Sequence, residues 1–417
     1  MALIDKLTAI GNAIRSKTGD TGLLSLDAMP EAIGGIATGF PNGREWTWSN
    51  ITSGIYSIVH NNGIWVAYST DSATDTTSGI CYSLNGKEWT PSNITSGGYN
   101  SVAYNNGVWV ACSGSHTASG IYYSLDGKEW IQSNVTSGYS HSLTNANGIW
   151  VAGCSRSSTN SGMYYSLDGK EWTQSNITSE NYGSVAYNNG VWVAGSSISD
   201  IGIYYSLDGK EWIQSNIASG YYSSFTNANG IWVVGGSSVG IYYSLDGKEW
   251  IQSNITSGYY SSFTNANGIW VAGCIGSSTN SGMYYSLDGK EWIQSNITSG
   301  CYNSIAYNNG IWIAGGQNNS GIYYSLDGKE WTQSNITSEN YGLFTHANGI
   351  WIACTMTNGS STADGMYYSL DGKEWTKSNN RKGSNYSFAN ANGIWVTNGG
   401  SRRSKGIYYS VTWEPSI

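Results

Sequence analysis

Between residues 221 and 254 the chain alternates short apolar bursts with polar turns. Residues 221–226 form a polar-aromatic run, and Asn227-Ala228-Asn229-Gly230 carries a turn signal. Ile231-Trp232-Val233-Val234 is apolar throughout, the pattern of a strand buried on both faces. A loop, 235–240, leads to Ile241-Tyr242-Tyr243-Ser244, which reads as a third strand. Leu245-Asp246-Gly247-Lys248 reads as a hairpin turn, because Asp-Gly between β-formers is a strong hairpin signal. Glu249-Trp250-Ile251-Gln252 then reads as a fourth strand. Four antiparallel strands in about forty residues are the unit of a β-propeller blade.

The same order is written nine times. A core of NG-[IV]-W, a variable stretch and G-[IM]-x-Y-S-L-[DN]-G-K-E-W repeats with its second tryptophan at Trp89, Trp130, Trp172, Trp212, Trp250, Trp292, Trp331 and Trp375, and Trp46 is a truncated ninth. The spacings run from 38 to 44 residues. The first tryptophans are Trp65, Trp109, Trp150, Trp192, Trp232, Trp270, Trp312, Trp351 and Trp395. Units this small cannot bury their apolar faces alone and must stack. The last repeat lacks its turn and fourth strand, and the first begins with them, at Asn42-Gly43-Arg44-Glu45-Trp46. Residues 44–50 are therefore expected to supply the outer strand of a last blade built from residues 384–412. The expected fold is all-β: a propeller of about nine four-stranded blades over residues 44–417, closed by an N-terminal strand. A linker, 37–43, and a short α-helical segment, 1–36, precede it. An open spiral of the same units is the alternative.

Composition supports β structure, with 55 Gly, 32 Tyr and 20 Trp but only 4 Pro. A net charge of -8, with most lysines confined to one repeated turn, argues against nucleic acid, because phosphate binding needs a Lys/Arg excess. No stretch reaches the apolar length of a membrane-spanning helix, so no membrane insertion is expected. Cys112, Cys154, Cys274 and Cys354 sit just after the NG-x-W strand of four different repeats, Cys81 replaces a strand tyrosine and Cys301 lies in a loop, which reads as buried free thiols and not a disulfide framework. The seven N-x-T sequons belong to the repeat itself.

The repeated Ser-Leu-Asp-Gly-Lys-Glu-Trp resembles the Asp-box of sialidase-like propellers, S-x-D-x-G-x-x-W, with one residue fewer between Asp and Gly. The roles it implies are structural: Asp accepts from turn N–H groups, Gly takes φ > 0, and Trp fills the space between sheets.

In a four-stranded blade the first and third connections share one end, and here they are monotonous. The second loop and the inter-blade link share the other end and vary. Eight residues before the NG glycine stands a steady tyrosine: Tyr99, Tyr182, Tyr222, Tyr260, Tyr302 and Tyr341. The positions on either side vary. In an extended run, period two puts this pair on one side and the tyrosine on the other. The tyrosine is then expected between blades and the variable pair at the channel mouth. The candidate ligand-binding residues are Tyr56, Asn100, Tyr139, His141, Asn181, Tyr221, Tyr259, Asn303, Asn340 and Tyr386. Such side chains suit sugar or protein recognition through stacking and adaptable hydrogen bonds. Loop positions free to drift are the bland alternative.

In the N-terminal segment Leu3, Leu7, Ile10 and Ile14 follow spacings of 4, 3 and 4, an amphipathic helix or short coiled-coil seam. Thirty-six residues are too few to bury a core alone, so the segment must dock on the propeller, oligomerise or attach to a partner. The wording LIDKLTAIGNAIRSKTG…SLDAMPEAIGGI resembles a segment of tail-fibre and related structural proteins of phages infecting Gram-positive and gut bacteria. That resemblance implies a virion tail context, contacts with other tail proteins through the N-terminal helices, and a possible homo-oligomer.

Catalytic chemistry is sparse. No arginine triad occupies repeated strand positions. The repeat-invariant carboxylates lie in the turn motif, and His60, His116, His141 and His346 are scattered over four repeats. No metal-ligand spacing or phosphate loop appears. The expectation is a tail-associated receptor-binding protein recognising a bacterial surface glycan or protein, not an enzyme, and without a cofactor. The alternatives are a structural virion propeller without glycan specificity and a glycan-cleaving enzyme.

Overall fold

The structure, a computed structural model, describes residues 43–52, 54–69, 79–113, 120–155, 161–196, 200–274, 281–317, 320–355, 365–379, 387–401 and 404–411. The expected helical segment 1–36 lies outside them. The described strands form nine four-stranded antiparallel sheets. Blades 1 to 8 each use consecutive strands, running from the channel outward. In blade 5 these are Tyr222–Ala228, Ile231–Gly236, Ile241–Ser244 and Ile251–Gln252. Blade 9 is composite. Phe388–Ala391, Ile394–Ser401 and Ser404–Val411 are completed on the outside by Thr47–Trp48, with Thr47 opposite Tyr409 and Trp48 opposite Tyr408. The expected closure is the one observed, and nine blades exceed the usual four to eight.

Nine apolar clusters fill the nine interfaces between neighbouring blades. Between blades 5 and 6, Val233 and Ile241 meet Tyr260, Trp270, Ala272 and Trp292. The next residue, Val234, faces the other way and packs in the interface with blade 4. This two-sided burial is why the second strand opens on an apolar run, as in Ile231-Trp232-Val233-Val234. The ring closes where Ile350, Ile352 and Met366 of blade 8 meet Trp395 and Tyr408, and where Val396 and Ile407 meet Ile58, Trp65 and Ala67 of blade 1. All eighteen motif tryptophans are buried. Truncating one to alanine in such a core costs about 3–5 kcal/mol.

A second ring of contacts escaped the sequence reading. The Asn two residues past each outer strand reaches into the next blade and brackets its motif tryptophan. Asn216 Oδ1 accepts the Trp250 backbone N–H at 2.8 Å, and its Nδ2 donates to the Trp250 carbonyl at 2.9 Å. The pairing repeats from Asn50–Trp89 to Asn335–Trp375, and Asn379 on Trp46 completes the circle. Seven of these nine are the asparagines of the N-x-T sequons.

The two turns of each blade differ from expectation. The left-handed two-residue turn is the Asn-Gly one: the nine Asn have φ of 47 to 53° and the following Gly 76 to 84°. Those angles suit the right-handed twist of the flanking strands. At the Asp-Gly turn only the glycine is left-handed, as with Gly247 at 75°. There Ser244 Oγ accepts from the Gly247 N–H at 2.8 Å and donates to Asp246 Oδ1 at 3.1 Å. Asp246 Oδ1 also accepts from Lys248 and Glu249 N–H at 2.9 and 3.0 Å. Side chains thus capture donors that a ladder would need, and the outer strand starts only after Trp250. The expected fourth strand, 249–252, is correspondingly cut to Ile251–Gln252. All six cysteines are buried thiols outside any disulfide, and Cys301 opens the strand Cys301–Asn308 where a loop was expected.

Candidate functional site

The variable end of the ring is assembled from the links and the starts of the third strands. In blade 2 the Ile121 N–H donates to Val135 O at 2.9 Å and the Gly120 N–H to Gly138 O at 3.1 Å, so the link folds back over its own blade. A Cβ on Gly120 would lie 2.2 Å from Val135 O, which explains a glycine before the third strand. At the opposite end the two invariant turns meet: the box glycine Gly127 lies against Trp109 of its own blade and Ile64, just past the Asn-Gly turn of blade 1.

The steady tyrosines pack as expected. Tyr99, Tyr182, Tyr222, Tyr260, Tyr302 and Tyr341 are buried, and each meets the first tyrosine of its blade's third strand edge-to-face at 5.6 to 5.9 Å. Burial pushes their hydroxyls far above the ordinary tyrosine range, with the neighbouring tyrosine adding to the shift. In blades 4 to 7 the tyrosine carbonyl sits against a second-strand glycine of the preceding blade. A Cβ on Gly195 would lie 2.6 Å from Tyr222 O, and one on Gly273 1.9 Å from Tyr302 O. At the closing interface Asn398 takes this place and donates to the carbonyls of Ile55 at 3.1 Å and Tyr56 at 2.6 Å.

The residue after the tyrosine does not follow a simple extended run. In six inner strands the register slips there: the pairing skips Asn100, His141, Ser223, Ser261 and Gly342, and in blade 7 Tyr302 and Asn303 share the irregularity. This is a β-bulge, repeated at one rung around the ring. Bulges bend a strand and re-aim a side chain. The residue is set apart from the ladder by an inserted position, not by alternation, and period-two reasoning cannot see that insertion.

One rung further in, serines join neighbouring blades. Ser224 Oγ donates to Ser261 O at 2.9 Å, Ser142 Oγ accepts from the Val185 N–H at 3.1 Å, and Ser57 and Ser387 hydroxyls pair at 3.1 Å. The bulges therefore stand on a stitched rim.

Tyr56 and Tyr221 are 38% and 37% exposed, so both rings reach solvent. Asn100, Asn181, Tyr259, Asn303 and Asn340 are half-buried. Tyr139 and His141 lie in the strand Tyr139–Ala146, whose side chains at these two positions are outside the described set, as is Tyr386 altogether. The position before the tyrosine is not uniformly outward: Cys301, which holds it in blade 7, is buried. Apart from Tyr139 and His141, every described candidate sits on its own blade, so the structure sets the described ones in a circle and does not gather them into one pocket. Gly183 at the bulge rung of blade 4 has nothing within 4 Å of its Cβ position, leaving a notch beside Asn181.

The rim chemistry is amide, hydroxyl and aromatic. Among the described residues no three His, Cys, Asp or Glu side chains converge. His60 packs tilted against Trp65 at 4.5 Å and His346 edge-to-face against Trp351 at 4.9 Å, and burial lowers the pKa of both imidazoles.

No protein family and no curated protein sequence matches the chain. Among solved structures, the computationally designed Ika8 protein is similar at a TM-score of 0.52 and 11% identity, over 75% of this chain and 96% of that one. Saccharomyces cerevisiae Sqt1 aligns at 0.49 and 10%, over 79% and 96%, and the Niastella koreensis GH74 enzyme at 0.37 and 15%, over 86% and 67%. At such identities the likeness extends to the fold alone: the chain is a β-propeller, here with nine blades.

Proposed function

We propose that the variable end of the ring is a recognition surface for a bacterial surface glycan or protein, and that the chain is a tail-associated receptor-binding protein of a phage or prophage. One observation carries the reading. The same rung of six inner strands is bulged, and its residue changes from blade to blade (Asn100, His141, Ser223, Ser261, Asn303, Gly342) beside a position that is tyrosine in five of them and Ser140 in the sixth. A scaffold that spends a repeated irregularity on a changing side chain favours presentation over packing. The exposed rings of Tyr56 and Tyr221 offer stacking faces, and the neighbouring amides offer adaptable hydrogen bonds. Weak contacts distributed around a circle gain from multivalency, which raises apparent affinity by about 10²–10⁴.

The test is binding of the purified full chain to a panel of bacterial cells and cell-wall glycans. Saturable binding to a subset, competed by one sugar class or removed by protease treatment of the cells, is expected. Replacing Tyr221 and Tyr259 with Ala should weaken it by about tenfold or more, about 1.4 kcal/mol. Absence of binding across the panel would overturn the receptor reading and favour a structural role. Binding untouched by both substitutions would overturn the choice of rim.

A further inference from the structure

The invariant end carries a feature the recognition surface does not use. Every Ser-Leu-Asp-Gly turn leaves its leucine in solvent: Leu84, Leu125, Leu167, Leu207, Leu245, Leu287, Leu326 and Leu370 are 59 to 64% exposed. The neighbouring turn lysines do not cover them but reach sideways, as Lys210 does over the Tyr165 ring of the preceding blade at 5.8 Å and Lys373 over Tyr324 at 5.8 Å. Eight large apolar side chains at one end of a ring are a docking surface by position, since burying one is worth about 1.5–3 kcal/mol.

The ring of leucines has one gap, and it is where the chain comes in. Gly43 takes the place of the box glycine of blade 9. Its Cβ position lies against Ile352 and Ile350 of blade 8, just as that of Gly86 lies against Val396 and Ile394 of blade 9. The described chain therefore begins at the leucine end, with Gly43 in the blade that lies between those of Leu370 and Leu84. The same residues hold an apolar stripe, Leu3, Leu7, Ile10 and Ile14, in a segment too short to bury it alone. Reach is no obstacle, because the 28 residues between Ile14 and Gly43 span up to about 90 Å extended. Tethering also places the stripe at roughly millimolar effective concentration, ahead of any second copy.

We propose that residues 1–36 of the same chain dock on the invariant end of the ring, seating the stripe against Leu370 and Leu84. The attachment segment is then held on the side opposite the bulged rim, and the ring presents that rim outward. The docking is independent of what the rim binds, and it is read without any ligand.

Hydrogen exchange by mass spectrometry on the full chain tests it, with the peptide 1–36 alone as reference. Residues 3–14 should exchange at least about tenfold more slowly in the full chain than in the peptide. The pair Leu84→Asn and Leu370→Asn should remove that difference, while Leu207→Asn with Leu245→Asn, across the ring, should leave it. Amides of the second strands report in the same spectra that the ring stays folded. As a second reading, Leu7→Cys should form a disulfide with Leu370→Cys and not with Leu207→Cys. Equal exchange in chain and peptide would overturn the proposal. So would protection that survives Leu84→Asn with Leu370→Asn, or protection that falls on dilution, which would make the occupant a second copy.

Discussion

Glu180 and Glu339 stand where the other described links of this type carry Gly97, Gly138, Gly220, Gly258 and Gly300. All seven have positive φ, but the glycines open to 99–108° and the glutamates contract to 72° and 81°. At Gly220 a Cβ would lie 2.6 Å from Cε2 of Tyr222. The contraction is how a side chain is admitted beside the buried tyrosine, and it leaves a non-glycine residue in the left-handed region, at a cost of roughly 1–2 kcal/mol. Asn tolerates that region better, so Glu180→Asn is expected to raise stability by about 0.5–1 kcal/mol in thermal unfolding. Gly220→Ala is expected to lower it by about 1–3 kcal/mol. A destabilised Glu180→Asn would mean that the carboxylate makes a contact worth more than the strain. The steady tyrosine was legible in the sequence because burial fixes residue type. The bulge beside it was not, because one inserted residue leaves hydrophobic spacing unchanged on either side of it.

The box turn of blade 1 is a natural control for the other seven. It has Asn85 in place of Asp, yet Asn85 Oδ1 accepts from Lys87 and Glu88 N–H at 2.9 and 2.9 Å and from Ser83 Oγ at 3.1 Å, the same pattern as Asp208. The oxygen matters and the charge does not. Asp208→Asn should therefore change stability at neutral pH by less than about 0.5 kcal/mol, whereas Asp208→Ala, which strands two turn N–H groups, should cost about 1–2 kcal/mol. The charge shows only in acid. Partial burial alone would raise the carboxyl pKa at Asp126, Asp168, Asp208, Asp246, Asp288, Asp327 and Asp371, but the backbone N–H donors outweigh it and each lies below its ordinary value. A lowered folded-state pKa stabilises above the unfolded value of about 3.9, and that contribution is lost as pH falls through the lowered value. Melting temperature should therefore drop below about pH 4, and less steeply in each Asp→Asn variant.

The inter-blade asparagine belongs to the same scale. In the sequence it shows only as the asparagine of a repeated sequon, because a side chain that imitates a strand across a gap leaves no periodic trace. Asn216→Ala should cost about 1–3 kcal/mol by leaving the Trp250 backbone groups unpaired. A glycan on Nδ2 of Asn134 would remove the donor that bonds Trp172 O at 2.8 Å. Expression through a glycosylating secretory route is therefore expected to yield unfolded or unmodified chain, checked by mass spectrometry of the soluble fraction. Third strands such as Ile241–Ser244 were legible to the residue, framed by Gly240 and by Ser244 of the turn. Outer strands were overdrawn, because the turn takes the N–H groups that would have extended them.

For the molecule as a whole, nine near-equal interfaces share the load, and closure rests on one composite blade. Removing residues 1–36 is expected to leave the ring folded, with the melting transition of the propeller intact. Removing residues 404–417 deprives Thr47–Trp48 of its partner strand and takes Ile407 and Tyr408 out of the two closing clusters. That truncation should lose the cooperative transition. A truncated chain that melts like the full one would mean that the ring does not need its ninth blade.

Composite closure also sets a clock on synthesis. Thr47 is paired with Tyr409, so the first strand made waits for nearly the last. At about 5–20 residues per second that interval is on the order of 20–70 s. Throughout it, Ile55, Ile58 and Trp65 on the open side of blade 1 have no covering blade. Nascent chains crowded on one messenger would meet with complementary free edges. For this protein the hazard of strand exchange between copies lies in the final minute of translation and not in the finished ring.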